Sequence, residues 1–176
     1  MPNSSKKNNI LLVGFMGAGK TTIGKLLAKS MGFSFIDTDA EIEKEEGISV
    51  AQIFEMKGEE YFRELESNFI TNLYQNKYII ATGGGMPCHK DNMRKLKELG
   101  TVLFINTSYD PITQRLKINQ KSRPLIKSGL DDKNEELHSL FIKRQKTYMS
   151  SDKIVSGDSN PSFIVEEILR IIRLSS

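Results

Sequence analysis

The chain has 176 residues, which is enough for one domain with one hydrophobic core and gives no reason to expect a second. Its formal net charge of +3 is spread along the sequence without a basic block or an aromatic–basic pattern, so no nucleic-acid partner is predicted. The single cysteine fits a reducing compartment, and no apolar run approaches the roughly 18 residues of a membrane span, so we expect a cytoplasmic protein without membrane contact. The polar residues 1–8 lack signal-peptide character and are expected to be disordered.

The first predicted strand, Ile10–Val13, leads directly into the sequence GFMGAGKTT at 14–22. This segment matches the P-loop pattern G-x-x-x-x-G-K-[ST] in its proper place between a strand and a helix. Its glycines let the backbone turn with N–H groups facing phosphate oxygens, and the helix that starts near Lys20 adds the positive end of its dipole. We expect Lys20 to reach the β- and γ-phosphates and the Thr21 hydroxyl to hold Mg²⁺. An accidental Gly-Lys pair in a strand-to-helix turn is the alternative.

Two carboxylates follow the second predicted strand, Phe33–Ile36, in the sequence Asp37-Thr38-Asp39. Ligands of open α/β sheets bind beyond the carboxyl ends of the strands, where this acidic pair lies. One carboxylate can support Mg²⁺ or its waters, and the other can accept a hydrogen bond from a substrate hydroxyl and take its proton. The alternative is turn and helix capping, with Asp39 capping a helix that begins at Ala40.

A helix is predicted from about Glu59 to Tyr74, because its apolar residues fall on one stripe. Within it, Arg63 precedes Glu66 by three residues, so the two side chains can share a helix face. Taken alone, this spacing indicates a surface ion pair worth roughly a few tenths of a kcal/mol.

Three consecutive glycines, Gly83, Gly84 and Gly85, follow the third predicted strand, Tyr78–Ala81. Glycines at this position would let the backbone approach a ligand closely and would offer unhindered N–H donors. A plain glycine turn is the alternative.

The remaining predicted strands are Val102–Ile105 and a weaker one at 153–155, and a further helix begins near Pro161. Short β-rich runs thus alternate with longer helix-period segments, which predicts an α/β fold with a parallel sheet and helices on its faces. The long interior stretch at 119–136 contains Pro124, Gly129 and several charges, and a loop of that size is usually a lid or disordered.

Six short motifs occur in order along the chain. They are GFMGAGKTTIG at 14–24, Asp-Thr-Asp at 37–39, Phe-Arg-x-x-Glu at 62–66, Thr-Gly-Gly-Gly at 82–85, Arg-Pro-Leu-Ile at 123–126 and Arg-x-x-x-Tyr at 144–148. Together they resemble the motifs of the shikimate kinase family, in the order found in that family. The resemblance covers essentially the whole chain.

This resemblance implies a three-layer P-loop kinase fold similar to that of nucleoside monophosphate kinases. It implies a five-stranded parallel sheet of order 2-3-1-4-5, flanked by helices, in a single domain of residues 1–176 with a mobile lid at about 119–136. It also implies a monomer that uses ATP and Mg²⁺ to phosphorylate the 3-hydroxyl of shikimate.

The resemblance also assigns residues to three roles. For ATP it implies Gly17, Ala18, Gly19, Lys20, Thr21, Thr22, the lid residue Arg123 and Asn160, with Thr21 and Asp37 around Mg²⁺. For shikimate it implies Asp39, Arg63, Gly83, Gly84, Gly85 and Arg144, and for catalysis Lys20, Asp39 and Arg123. The assignment agrees with the chemistry of shikimate, because guanidinium groups suit its carboxylate and an acidic group suits a hydroxyl.

Two rival functions remain at this point. Another P-loop kinase, acting on gluconate or a nucleoside monophosphate, would keep the P-loop and lid but need different acceptor-site residues. A nucleotide-dependent switch would not phosphorylate a small molecule, and the guanine-reading Asn/Thr-Lys-x-Asp motif of GTPases does not occur in the sequence.

Overall fold

The computed structural model of the protein describes residues 8–118 and 132–174. The strands are β1 (Ile10–Val13), β2 (Ser34–Asp37), β3 (Tyr78–Ala81), β4 (Thr101–Asn106) and β5 (Lys153–Ser156). The helices are α1 (Lys20–Met31), α2 (Thr38–Glu46), α3 (Val50–Thr71), α4 (Asn92–Leu99), α5 (Tyr109–Ile118), α6 (Asp132–Tyr148) and α7 (Pro161–Arg173). A short 3₁₀ turn, Met86–Cys88, follows the three glycines. Each predicted strand lies within one residue of its predicted bounds.

The strands form a parallel sheet in the order β2-β3-β1-β4-β5. β1 lies in the middle, where Leu12 is opposite Ala81 of β3 and Leu103 of β4. This order confirms the predicted P-loop kinase topology. Because all pairs are parallel, the loops after β1, β2 and β3 meet at one edge of the sheet, which is where ligands of such sheets bind.

Helices cover both faces of the sheet, as β1 shows. Its residues are at most 4% exposed. Leu11 and Val13 pack in a cluster with residues of α4, α5 and α6, whereas Ile10 and Leu12 pack in a second cluster with residues of α1 and α7. A strand buried on both faces reads as a continuous apolar run, which explains the sequence ILLV.

The opposite edge of the sheet is tied together by Asn9, which is buried and which sequence analysis did not single out. Its Nδ2 donates to the carbonyls of Gln75 (3.0 Å) and Leu99 (3.1 Å), and its Oδ1 accepts from the N–H of Tyr78 (3.0 Å). The side chain just before β1 therefore satisfies backbone groups beside β3 and β4, the two neighbours of β1, as a buried amide must.

Helix α3 is longer than predicted and is broken inside. It begins at Val50 after a capping box formed by Ser49 and Gln52, and Gly58 has φ 84° and ψ 166°, outside the helical region. The helix predicted from Glu59 is therefore only its second half. A third cluster of Ile42, Ile53 and Phe62 packs α2 against both halves.

Two predicted segments fall largely outside the described residues. The first is the lid at 119–136 with Arg123; of this stretch, 132–136 lie in α6, so the expectation of a loop is wrong there. The second is the predicted disordered segment 1–8, of which only Asn8 is described, and its N–H donates to Asn76 Oδ1. Within the described part of the chain, no helix is long and apolar enough to span a membrane.

Candidate active site

The phosphate-binding loop joins β1 to α1 and ends at Gly19, the residue before the helix. Gly17 and Gly19 have φ values of 80° and 95°, which L side chains rarely adopt, so these two positions require glycine. Lys20 is the first residue of α1, and its Nζ donates to the carbonyls of Gly14 (2.8 Å) and Phe15 (2.9 Å). The helix N-terminus and the ammonium group thus lie together where phosphate oxygens would bind.

The predicted Mg²⁺ residues are in contact. Thr21 Oγ1 donates to Asp37 Oδ2 at 2.7 Å. A hydroxyl and a carboxylate oxygen beside a P-loop are the donors that Mg²⁺ prefers, so the pair fits that ion.

Asp37, and not Asp39, caps α2. Asp37 Oδ1 accepts from the N–H groups of Asp39 (3.2 Å) and Ala40 (3.4 Å), and the helix begins at Thr38. The capping interpretation of Asp39 is therefore wrong. The Asp39 side chain instead lines a cavity next to the P-loop.

This acceptor cavity has a volume of about 380 Å³ and lies between the P-loop, α2, α3, the glycine segment and α6. It is lined by Met16, Lys20, Thr21, Asp37, Asp39, Ala40, Glu43, Val50, Phe54, Phe62, Arg63, Glu66, Thr82, Gly83, Gly84, Gly85 and Arg144. All the predicted shikimate residues are in this set, together with the two predicted metal residues.

Arg63 and Glu66 form a buried ion pair at the wall of the cavity. Arg63 Nη1 lies 2.6 Å from Glu66 Oε2, and Glu66 is 0% exposed. The same guanidinium donates from Nη2 to Glu59 Oε1 at 3.0 Å. The expectation of a surface ion pair is thus wrong, because a pair removed from water needs close geometry and further partners to offset its desolvation.

Glu66 lines the cavity, but the sequence analysis assigned it no role beyond that of an ion-pair partner of Arg63. Burial, with the nearby Asp39 carboxylate, raises the pKa of Glu66 to about 7, although Arg63 and Arg144 oppose the shift. The motif Phe-Arg-x-x-Glu contained the residue, but its spacing alone did not distinguish a buried helix face from an exposed one.

The glycine segment lets charged side chains approach the backbone. A Cβ at Gly83 would contact Asp39 Oδ1 and lie 2.7 Å from Glu66 Oε1, and a Cβ at Gly85 would lie 2.5 Å from the guanidinium of Arg63. A plain turn does not account for this crowding. The glycines were predicted to let the backbone approach a ligand closely. In the structure they let it approach the carboxylates of Asp39 and Glu66 and the guanidinium of Arg63.

Arg144 comes to the cavity from α6, opposite α3. It is 7% exposed, and its guanidinium carbon lies 5.6 Å from the centroid of the Phe15 ring. Two guanidinium groups from different helices thus face one cavity next to the P-loop.

The other predicted nucleotide residues are placed differently. Thr22 is exposed on the first turn of α1. Asn160 is also exposed, and its side chain caps α7 by accepting from the N–H of Ser162 at 3.0 Å, so its observed contact is structural. Arg115 of α5 donates to the carbonyl of Gly17 at 3.0 Å, which joins α5 to the P-loop.

A strand that leads into a phosphate-binding loop with Lys20 and Thr21, beside a polar cavity, defines an ATP-dependent kinase acting on a small molecule. The family model for shikimate kinase matches residues 16–173, and the chain belongs to the shikimate kinase family. This membership decides against the gluconate, nucleoside monophosphate and switch alternatives.

Individual relatives agree over nearly their full length. A shikimate kinase from Persephonella marina is 46% identical over 167 residues, which are 94% of this chain and 99% of the relative. The crystal structure of shikimate kinase from Aquifex aeolicus matches with 40% identity and a TM-score of 0.82, covering 94% of this chain and 96% of that one. Shikimate kinase from Acinetobacter baumannii in complex with shikimate matches with 32% identity and a TM-score of 0.90, covering 97% and 95%.

Proposed function

We propose that this protein transfers the γ-phosphoryl group of MgATP to the 3-hydroxyl of shikimate, giving shikimate 3-phosphate and ADP. The observation that carries the proposal is the acceptor cavity, in which Arg63, Arg144 and Asp39 lie beside the P-loop. Shikimate has one carboxylate and three hydroxyls, so it needs cationic forks at one end and an acidic acceptor at the other. The relative from Acinetobacter baumannii, whose structure contains shikimate, supports this choice of acceptor.

On the nucleotide side, the P-loop N–H groups and Lys20 hold the β- and γ-phosphates. Thr21 and Asp37 provide the oxygen atoms for Mg²⁺, which when bound neutralises charge on the phosphate oxygens. Lys20 and the N-terminus of α1 place positive charge where negative charge develops, and this preorganised charge lowers the barrier. The remaining contacts to ATP come from the backbone of Gly17, Ala18 and Gly19 and from Thr22 in the first turn of α1.

On the acceptor side, Arg63 and Arg144 bind the carboxylate of shikimate in bidentate fashion. Asp39 accepts a hydrogen bond from the reacting hydroxyl, orients it and takes its proton as the phosphoryl group arrives. A loose transition state needs little deprotonation at the outset, so orientation by Asp39 precedes proton transfer. Gly83, Gly84 and Gly85 hold the backbone close enough to contact the substrate.

The segment at 119–136 serves as a lid that brings Arg123 to the phosphates, and Asn160 contributes to the nucleotide pocket near Arg115. Both assignments come from the family resemblance. The positions of α5 and α6 support the lid, because α5 ends just before it at Ile118, α6 begins in its last part at Asp132, and these helices contact the P-loop and the acceptor cavity.

The same proposal includes Mg²⁺ as the required ion, a monomeric enzyme, a cytoplasmic location and no nucleic-acid partner. The Thr21–Asp37 pair supports Mg²⁺. The even distribution of charge supports the absence of a nucleic-acid partner.

The test is an ADP-release assay coupled to product identification by mass spectrometry and NMR. The panel contains shikimate, other hydroxy acids, gluconate and nucleoside monophosphates. We expect ADP release that depends on shikimate, and phosphate on its 3-hydroxyl. ADP release indifferent to shikimate, or faster with another acceptor, would overturn the proposal.

A further inference from the structure

Tyr148 connects α6 to the glycine segment from the side away from the cavity. It is the last residue of α6 and is 1% exposed, and its hydroxyl donates to the carbonyl of Gly84 at 2.5 Å. Its ring lies 5.2 Å from the ring of Phe104 on β4, so packing as well as the hydrogen bond fixes its position. Burial raises the pKa of Tyr148, which keeps the hydroxyl protonated as a donor.

Gly84 is the point where three parts of the site meet. A Cβ placed on it would lie 3.1 Å from the N atom of Met16 in the P-loop and 3.5 Å from Arg144 Nη1 on α6. A small movement of Gly84 would therefore change its distance to both the nucleotide side and the acceptor side.

The glycine segment is held from two directions. The N–H of Gly83 donates to Thr38 Oγ1 of α2 at 2.9 Å, and the carbonyl of Gly84 accepts from Tyr148 of α6. In the part of the chain that the structure describes, the N–H groups of Gly84 and Gly85 have no acceptor, although both residues line the cavity. Holding the carbonyl of Gly84 fixes the peptide plane that contains the N–H of Gly85.

Arg144 and Tyr148 are four residues apart, so they lie on the same side of α6. One helix thus carries the guanidinium that faces the acceptor and the hydroxyl that orients the backbone beside it. We propose that Tyr148 is a positioning residue for the phosphoryl acceptor, which holds the Gly84–Gly85 peptide so that its N–H faces the cavity in register with Arg144. The inference deepens the proposed function, on which it rests for the identity of the acceptor.

The test is Tyr148→Phe, which removes the hydroxyl and keeps the ring against Phe104. Tyr78→Phe is the matched control, since Tyr78 packs against the same core cluster from the start of β3, at the opposite end of the sheet. For Tyr148→Phe we expect the KM for shikimate to rise roughly five- to tenfold, because a change of this size corresponds to the loss of about one hydrogen bond. The KM for ATP should change less than about twofold. Tyr78→Phe should change neither.

A second measurement does not depend on turnover. In protein labelled with ¹⁵N-glycine, Tyr148→Phe should shift the amide resonances of Gly84 and Gly85 and speed their hydrogen exchange, while those of Gly32 and Gly47 stay in place. Unchanged glycine resonances, or equal rises in both KM values, would overturn the positioning role. If wild-type protein does not use shikimate, the proposed function fails, and the resonances still decide whether Tyr148 orients the segment.

Discussion

At the scale of single residues, we expect Lys20 to contribute little to stability and much to catalysis. Its Nζ donates to two carbonyls of its own loop, and its side chain belongs to none of the three apolar clusters. Lys20→Ala should therefore lower turnover by at least about 100-fold while the protein stays folded, because the charge at the phosphates is lost.

Activity and thermal unfolding measured on the same sample check this prediction for Lys20. Lys29→Ala is the control, since Lys29 is exposed in the last turn of the same helix. A variant that keeps most of its rate, or that unfolds, would contradict the assignment.

Arg63 and Arg144 should each depend on the planar shape of guanidinium. Arg63→Lys and Arg144→Lys keep the charge but lose the bidentate fork, so each should weaken shikimate binding by about tenfold or more and ATP binding much less. Isothermal titration with each ligand is the measurement. Arg94→Lys is the control, because Arg94 is exposed and forms its ion pairs with Asp91 and Glu98 at the surface. Unchanged shikimate affinity in both variants would remove the two arginines from the acceptor site.

Glu66 should make the stability of the protein depend on pH. Its pKa is raised from 4.5 to about 7 in the folded protein, so the folded state binds the proton more tightly than the unfolded chain does. The contribution of this group to stability should therefore fall as the pH rises from about 4.5 to about 7 and stay constant above that range. The charged groups around it are Arg63, Glu59, Asp39 and Arg144.

Urea unfolding at a series of pH values tests this, with Glu66→Gln expected to remove that fall. Glu64→Gln, a change at an exposed position of the same helix, should leave the pH dependence as in the wild type. A Glu66→Gln variant that keeps the wild-type pH dependence would show that folding leaves the pKa of Glu66 near its ordinary value of 4.5.

At the scale of elements, the break in α3 directs the half that carries Arg63. Gly58 has φ 84° and ψ 166°, a conformation that is almost confined to glycine, and a Cβ there would meet nothing within 4 Å. Gly58→Ala should therefore cost about 1–3 kcal/mol through backbone strain alone, and should raise the KM for shikimate as α3 straightens. Urea unfolding and steady-state kinetics measure the two effects.

Glu55→Ala, at an exposed position three residues earlier, is the control for Gly58→Ala. Equal stability of Gly58→Ala and wild type would mean that the chain continues as a regular helix through residue 58 at no cost.

Local sequence patterns predicted the strands and the P-loop well, but they did not predict the helix break at Gly58, the burial of Glu66 or the contacts of Asn9. The strands were predictable because runs such as Ile10–Val13 are apolar throughout, and the P-loop because its spacing is distinctive. The break at Gly58 was not predictable, because a single glycine in a helical pattern can also be tolerated without a break. Burial of Glu66 and the contacts of Asn9 depend on elements far along the chain, which no local pattern reports.

At the scale of the whole molecule, α5 and α6 connect the two sides of the site on either side of residues 119–131, where the lid is proposed. α5 ends at Ile118 and holds the carbonyl of Gly17 through Arg115, and α6 begins at Asp132 and carries Arg144. A lid between them would close over nucleotide and acceptor together and exclude water.

Arg123→Ala should lower turnover by roughly 10³-fold with only a modest change in shikimate affinity, because Arg123 is proposed to act on the transferring phosphoryl group. Hydrogen exchange across 119–136 should slow when nucleotide and shikimate are added. Equally strong protection without ligands would identify the segment as a fixed loop.

The central place of β1 also bears on how the chain is made. β1 is made before both of its neighbours, which are β3, from Tyr78, and β4, from Thr101. At about 5–20 residues per second, an apolar strand that will be buried on both faces waits roughly several seconds for a partner. During synthesis this apolar segment therefore stays without its strand partners until β3 and β4 have emerged, and the centre of the sheet can form only once the chain has been made as far as Asn106.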